Sequence, residues 1–490
     1  MPILTLLLLL PLIGAGSILF MAGEHRANVR SVAVITSGLA FVVAIYLLTG
    51  FDTASSAFQF SESVVWNARM GTAYALGLDG FSYPMVLLAT LLSFTAILAS
   101  GSITERYRGY YALVLILESA MLGVFMARDW LLFYVFWEMT LIPLFFLIDR
   151  WGGERRSMAA LNFVLYTMGG SVFMLVSLLV LYDAMPEPSF SMAAMNAAAK
   201  NLSTDTQVLL FLGFLIGFGV KMPIFPIHGW LPLAHVEAPS PISILLSGIL
   251  LKMGSYGLIR ATGMLPSAVV ELQVVLASLA IFSLFYGGLL AWRQSDLKAM
   301  IAYSSVGQMG IVLFGIASLN AAGLTGAMMQ MFAHGLVAGA TFMLIGLLYQ
   351  RTHTRNVNDY SSLIRVTPRF ALLTSLALFG AIGLPGSATF IAKFMTTIGG
   401  YEQWGGWIAV LIASSVLVSG AYAIRTIGIL FTGPSRPEMS KIKDLQSAEL
   451  LAAGLLVLGT IVFGLFPHLL LDLMGESVNH MMTLFEGVAS

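Results

Sequence analysis

The chain has 490 residues, of which 58% are hydrophobic and only 10% charged, and its mean hydropathy is +0.90. A soluble globular domain carries about a quarter charged residues, so this composition excludes one and places the chain in a bilayer. The formal charge is zero and there is no cysteine, which argues against an electrostatic nucleic-acid partner and excludes thiolate-bound iron-sulfur clusters, CxxC redox chemistry and disulfides.

In chain order, apolar runs of about 20 residues predict an all-α integral membrane protein with about fourteen transmembrane helices, because that length crosses a hydrocarbon core about 30 Å thick. The runs lie roughly at 3–22, 31–50, 81–102, 109–127, 130–149, 157–183, 207–224, 240–260, 268–292, 297–318, 323–350, 370–399, 405–432 and 447–475. No basic segment precedes the first run and no clear small-residue cleavage site follows it, so it reads as a mature span and not a signal peptide. Residues 51–78 alternate short polar and apolar runs, as an outer hairpin does, and 185–206 reads as an amphipathic surface helix with a loop.

Numbering the thirteen connections, 17 Lys and Arg residues fall in odd ones and 4, Arg69, Arg128, Lys200 and Arg260, in even ones. The positive-inside tendency then puts the odd connections in the cytoplasm, matrix or stroma, and both termini on the periplasmic or lumenal side. Arg425, near the inner end of the thirteenth span, is counted with the odd set because a long side chain snorkels. Three of the 24 basic residues remain, Lys221, Lys252 and Lys393, all inside apolar segments.

A lysine near mid-bilayer costs about 2.5 to 3.5 kcal/mol even on lenient insertion scales. Glu138 in "FYVFWEMTLIPLFF" and Glu118 in "LVLILESAMLG" lie at similar depth on adjacent helices, and His334 in "MQMFAHGLVAGA" is the histidine well inside a span. Taken singly, each also fits a structural polar contact between helices. Six such residues in six different helices point instead to a functional set.

Two runs carry breaks beside their lysines. In "GFGVKMPIFPIHGWLP", Pro223 and Pro226 interrupt the seventh helix just after Lys221 and free carbonyls that lipid cannot satisfy. A cation at the carbonyl end of a half-helix is favoured, and a Lys221–Glu138 pair that opens and closes would switch the lysine between charged and neutral. In "FGAIGLPGSATFIAKFM", Gly383, Pro385 and Gly386 break the twelfth helix and Lys393 follows. Breaks at corresponding helices predict two inverted five-helix repeats. The expected organisation is 1–108 (helices 1–3 with the outer loop), 109–261 (helices 4–8), 262–432 (helices 9–13) and 433–490 (helix 14), with two unrelated proline kinks as the plainer alternative.

At this point the chain resembles the antiporter-like membrane subunits of respiratory complex I and its photosynthetic relatives, of the subunit M or chain 4 type. The resemblance rests on "DGFSYPMVLL", "LLFYVFWEMTLIPLFFLIDRWGGERR", "FGVKMPIFPIHGWLPLAHVEAPSPISILLSGILLKMGSYGLIR", "DLKAMIAYSSVGQMG", "AHGLVAGATFMLIGLLYQRTHTR" and "GLPGSATFIAKFM", in order over about 79–400. It implies a hydrated mid-membrane proton path in which Glu138 gates Lys221, Lys252 relays, His334 continues and residue 393 exchanges with the far side. It also implies sibling antiporter-like subunits and other membrane-arm subunits as partners, lipid around the chain, no cofactor within it, and flavin, iron-sulfur clusters or quinone held by partner subunits. A bacterial inner membrane or cyanobacterial thylakoid membrane is the implied location.

The sequence departs from the family pattern where chain 4 members usually carry glutamate and this chain has Lys393, where Gln308 replaces a common histidine in "SSVGQMG", and where Leu233 replaces the aspartate of "LPDAH". Glu118 has no counterpart carried over from the pattern. These departures suggest a divergent paralogue, such as one from the cyanobacterial complex that drives carbon dioxide hydration. A subunit of a multisubunit cation/proton antiporter is the alternative within transport, and a membrane-embedded enzyme or structural spacer the alternative outside it.

His228 and His235 flank the first break, but seven residues apart with only Glu237 near they make weak metal ligands; hydrogen bonding or proton entry from the inner side is the better reading. No Walker A motif, post-strand GxGxxG or nucleophile elbow is present.

Overall fold

Inside a bilayer no water is available to bond backbone amides, so each apolar run must satisfy its own as a helix. The computed structural model describes residues 2–21, 25–434 and 436–489, with side chains through 485, and these are helical almost throughout. Helices α1 (Ile3–Phe20) and α2 (Arg26–Tyr46) lead into an antiparallel hairpin of β1 (Gln59–Asn67) and β2 (Thr72–Leu78). There follow α3 (Tyr83–Ala99), α4 (Tyr107–Met126), the paired α5 (Trp130–Met139) and α6 (Leu141–Trp151), α7 (Arg156–Asp183) and the short surface helix α8 (Met192–Ala199). The seventh and eighth crossings are α9 (Thr204–Lys221) with α10 (Trp230–Glu237), and α11 (Ser240–Leu245) with α12 (Leu251–Met264). The second half runs through α13 (Pro266–Glu271), α14 (Gln273–Arg293), α15 (Leu297–Ala317), α16 (Ala321–Thr352), α17 (Pro368–Ile382), α18 (Ala388–Trp404), α19 (Gly406–Phe431), α20 (Ser447–Leu465) and α21 (His468–Ala489).

Among the described residues, 13 helical segments are long and apolar enough to cross a membrane. The expected twelfth crossing is divided between α17 and α18, so it is not among them. The expected fourteenth span, 447–475, ends earlier, at Leu465. Pro467 has no N–H to donate and pushes Phe466 out of helical geometry (φ −123°, ψ 63°), so the apolar run does not continue as one helix. Its remainder opens α21, whose Leu470, Met474 and Val478 are buried while Asp472, Glu476 and His480 are exposed. This amphipathic helix covers the hairpin end of the bundle. A Cβ on Gly80 would meet Leu473 O at 2.4 Å, and the Gly80 N–H donates to Ser477 Oγ at 3.0 Å, so only glycine permits this approach.

The eighth crossing and α16 are buried over their whole apolar windows, whereas α2, α19 and α20 show about two thirds of theirs. The bundle therefore has an inner layer shielded from lipid, and Lys252 and His334 stand on its two members.

The hairpin end is tied to the bundle by charge. Glu62 on β1 accepts the Leu4 and Thr5 N–H groups (2.7 and 3.0 Å), a carboxylate at the positive end of α1. Asp79 pairs in bidentate fashion with Arg260 (2.6 and 2.7 Å), accepts the Phe81 and Ser82 N–H groups, and so joins the start of α3 to α12. Burial pushes the Asp79 carboxyl up, but the Arg260 guanidinium and the Ser82 hydrogen bonds outweigh it and hold the group below the ordinary carboxylate range. Its contribution to stability is thus present above the unfolded value of about 4 and lost as pH falls through the lower folded value. Asp79→Asn, which leaves a buried guanidinium without its counter-charge, should destabilise the chain by about 3–5 kcal/mol. The check is thermal unfolding of the purified protein, where the gap between wild type and variant should narrow as pH is lowered.

Candidate functional site

Each buried lysine meets a backbone carbonyl at a place where a helix is irregular. Lys221 ends α9, and its Nζ crosses to the junction of α5 and α6, donating to Thr140 Oγ1 at 2.9 Å and Trp137 O at 3.5 Å and lying 4.0 Å over the Trp137 ring. That junction is a break in its own right, because Pro143 cannot donate to the Met139 carbonyl one turn back. The motif "WEMTLIP" carried the signal for it, and neither Thr140 nor Trp137 was expected in the site.

Glu138 is the carboxylate that acts electrostatically on Lys221, but the two form no ion pair here. Glu138 Oε1 is buried without a hydrogen-bond partner and faces Tyr134 one turn earlier. The expected pair is open in this conformation, with Thr140 and Trp137 holding the lysine in its place.

Protein groups meet the backbone groups freed at the first break. Val220 O accepts the Trp230 indole N–H at 2.8 Å, Gly219 O accepts the Ile224 N–H at 3.1 Å, and the Phe225 N–H donates to Ser283 Oγ at 2.9 Å. The sequence folds back on itself within eight residues, so an aromatic donor reaches the helix end first. Gly254 of α12 lies against this end; a Cβ there would meet Phe218 O at 2.6 Å and Met222 N at 2.7 Å.

One turn of the eighth crossing, Leu246–Leu250, is a widened π turn in which the Leu251 N–H bonds Leu246 O five residues back. Lys252 Nζ donates to Ser247 O at 2.5 Å and lies 2.6 Å from His334 Nδ1 on α16. His334 Nε2 is 3.2 Å from Ser305 Oγ on α15, which is 3.0 Å from Ser247 Oγ. Three helices thus close a fully buried polar ring.

Beyond His334 lies a cavity lined by Ser304, Gln308, Gln330, His334 and Thr389, with about 20 Å³ of room for water centres. One water needs about 10–15 Å³. Gln330 Nε2 donates to Gln308 Oε1 (2.7 Å), and Gln308 Nε2 to Ala381 O (3.2 Å) at the end of α17. Gln330 Oε1 and Thr389 Oγ1 are buried without partners.

At the second break Gly383 takes φ +85°, which glycine adopts without strain, and turns the chain so that Ile382 O faces Lys393. Lys393 Nζ donates to that carbonyl at 2.8 Å and to Ser419 Oγ at 3.4 Å. Between Ser419 and the cavity stands Tyr422 of α19, 3% exposed. Its hydroxyl faces Ser419, Gln308 and Ser304 without a hydrogen bond of standard geometry to any of them. Tyr422 sits in "SGAYAIR", an apolar context that gives no signal in the sequence.

A fourth buried lysine went unexpected. Lys298, counted by sequence as an inner-loop cation, is 3% exposed in the first turn of α15 and donates to Ala238 O, the carbonyl just past α10, at 2.8 Å. His235, between Lys298 and Lys252, is fully buried with neither ring nitrogen hydrogen-bonded and its ring stacked on Phe342 at 4.5 Å. His228 packs against Phe225 and Tyr286 with Nδ1 unpaired. Glu118 stands apart from the lysines: it faces α2, where Ser37 Oγ donates to Oε1 at 3.1 Å, and Oε2 is unpaired. Among the described residues no group of three or more His, Cys, Asp or Glu converges as a metal site.

Comparison with known proteins places the fold. Residues 127–419 match the model of the family described as NADH:quinone oxidoreductase/Mrp antiporter, TM. The chain is 36% identical over 494 residues to NADH-quinone oxidoreductase subunit M of Rickettsia conorii, covering 99% of both chains. It is 38% identical over 477 residues to NAD(P)H-quinone oxidoreductase chain 4 2 of Thermosynechococcus vestitus, covering 95% of this chain and 89% of that one. A chain of respiratory complex I from Thermus thermophilus with bound NADH superimposes with a TM-score of 0.90 at 32% identity, over 99% of this chain and 100% of that one. The chain therefore belongs to the NADH:quinone oxidoreductase/Mrp antiporter family of membrane subunits.

Proposed function

We propose that the chain is the subunit M or chain 4-type component of the membrane arm of a complex I-like quinone oxidoreductase. In this reading it translocates protons along Glu138, Lys221, Lys252, His334 and Lys393, with both termini on the periplasmic or lumenal side. Redox groups belong to partner subunits, since the chain has no cysteine and a lysine path alone only equilibrates protons. The 2.6 Å contact between Lys252 Nζ and His334 Nδ1 carries the reading. Two positive charges at that distance would repel by roughly 6 kcal/mol at an effective dielectric of about 20, so in this reading the pair carries one positive charge at a time and hands it between the two nitrogens.

Loading starts at Lys221, which Thr140 and Trp137 hold while Glu138 stands open; closure of the Glu138 pair favours the charged lysine and its opening releases the proton. From His334 the proton crosses the cavity, where Gln308 orients water but cannot itself titrate. Tyr422 spans the remaining gap by accepting a proton on its hydroxyl oxygen as it gives its own to the Ser419–Lys393 end, so the phenol is unchanged after each transfer. Lys393 then exchanges with the far side.

Lys393 at the second break also favours a second reading, a subunit of a multisubunit cation/proton antiporter; co-purification with hydrophilic redox subunits separates the two. Nothing in the geometry favours the carbon dioxide-hydrating variant over the respiratory one.

Lys221→Ala in the assembled complex should slow proton passage through this chain by roughly tenfold, the effect of about 1.4 kcal/mol on its limiting barrier, and so lower the protons moved per electron by this chain's share. Proteoliposome acidification driven by the quinone reaction measures it, and an intact complex that pumps normally would leave the chain a structural spacer. Tyr422→Phe removes one hydroxyl and should slow pumping several-fold, while Gln308→His in the same chain should restore much of the loss by supplying a second relay atom. Equal pumping by the single and double variants would remove Tyr422 from the path.

A further inference from the structure

The sequence leaves few basic residues in the even connections, and the fold gathers two of them into one pocket at the hairpin end. Arg128, between α4 and α5, and Arg260, near the end of α12, lie 4.8 and 5.0 Å from the centroid of the same Phe58 ring. The pocket they line with Trp130, Ser191 and Asn196 has about 130 Å³ of room for water centres, roughly ten times what one water needs.

No carboxylate lines this pocket, and its donors outnumber its acceptors. The indole N–H of Trp130, a residue only 1% exposed, is buried without an acceptor, and so is the Arg260 Nε–H. Arg128 has no ion pair among the described residues. The two carboxylates nearby are engaged elsewhere. Asp79 takes both Arg260 Nη groups and the Phe81 and Ser82 amides, while Asp129 takes the Leu131, Leu132 and Ala73 amides at 2.9, 3.0 and 3.1 Å. An unpaired buried N–H costs about 1–3 kcal/mol, and the Arg128 guanidinium has no counter-charge, so an acceptor carrying negative charge satisfies both deficits at once.

We infer that this pocket binds a phosphate-type oxyanion between Arg128 and Arg260, with the Trp130 indole N–H as a third donor. The Arg128 guanidinium fork matches the paired oxygens of a phosphate, which chloride lacks, while Arg260, whose fork Asp79 already holds, offers its Nε–H. The group is either free phosphate or the headgroup of a phospholipid at the bilayer edge. Bound there, it links Phe58 before the hairpin to α5, α8 and α12. The inference does not depend on the proton path and survives if that reading fails.

The test uses the native complex in nanodiscs of phosphatidylcholine or of phosphatidylglycerol, each with and without inorganic phosphate, and pairs high-resolution electron cryomicroscopy with hydrogen exchange of residues 59–78. Phosphate added to phosphatidylcholine discs should give compact density between the two guanidinium groups and slow hairpin exchange several-fold, which assigns free phosphate. The same effects in discs of either lipid before any phosphate is added assign a headgroup, since both lipids carry a phosphodiester. Arg128→Gln, which spares the Arg260–Asp79 pair, should abolish the slowing. Water alone in the pocket under every condition, an acidic side chain from a neighbouring subunit filling it, or equal protection in Arg128→Gln would each overturn the inference. If Arg128→Gln fails to assemble, the wild-type density still decides.

Discussion

The structure turns on how an ammonium group is solvated where there is no bulk water. Lys221, Lys252, Lys298 and Lys393 each donate to a main-chain carbonyl at the broken fifth crossing, the π turn, the end of α10 and the end of α17. A hydrogen bond to a charged group is worth about 1.5–3 kcal/mol net, and inserting a lysine costs about 2.5–3.5 kcal/mol. One carbonyl nearly offsets the insertion, and a second partner completes it: Thr140 for Lys221, His334 for Lys252, Ser419 for Lys393. Helix irregularity is therefore a requirement of the charges and not an ornament of the fold, and each break and each lysine is intelligible only with the other.

The same constraint orders the bundle. A loosened carbonyl facing lipid has no partner, so the helices that carry the inner charges must sit inside a ring of others. The eighth crossing and α16 are fully enclosed, while α2, α19 and α20 form the lipid-facing wall. Close crossings at small residues make this possible: Gly254 against the end of α9, and Gly326 and Gly399 where α16 and α18 meet, each leave no room for a Cβ. These contacts bring together polar side chains from α12, α15, α16, α18 and α19 and the last carbonyls of α17.

The departures from the family pattern acquire physical content in this frame. Gln308 keeps its place among the buried polar groups by bonding Gln330 and Ala381 O. Lys393 is held by the carbonyl of Ile382 across the break. Leu233 lies beside a first break closed by the Trp230 indole, where no carboxylate is needed to satisfy the helix end.

Much of this was legible in the residues themselves. Hydropathy alone located the crossings, because a run of apolar residues in lipid can only close its hydrogen bonds as a helix. The prolines and glycines marked both long breaks, since a missing N–H or a positive φ acts wherever it is placed, and Lys221, Lys252, Lys393, Glu138 and His334 were conspicuous because charge in an apolar run is costly. Only the tertiary structure decided that Lys298 is an interior cation, that Thr140 and Trp137 hold Lys221 while Glu138 forms no ion pair with it, that Glu118 faces α2 away from the lysines, that α21 lies across the hairpin end, and that the Tyr422 hydroxyl faces Ser419, Gln308 and Ser304. Those facts depend on which neighbour's carbonyl or hydroxyl arrives first, a matter of packing between segments far apart in the chain, and no local pattern encodes it.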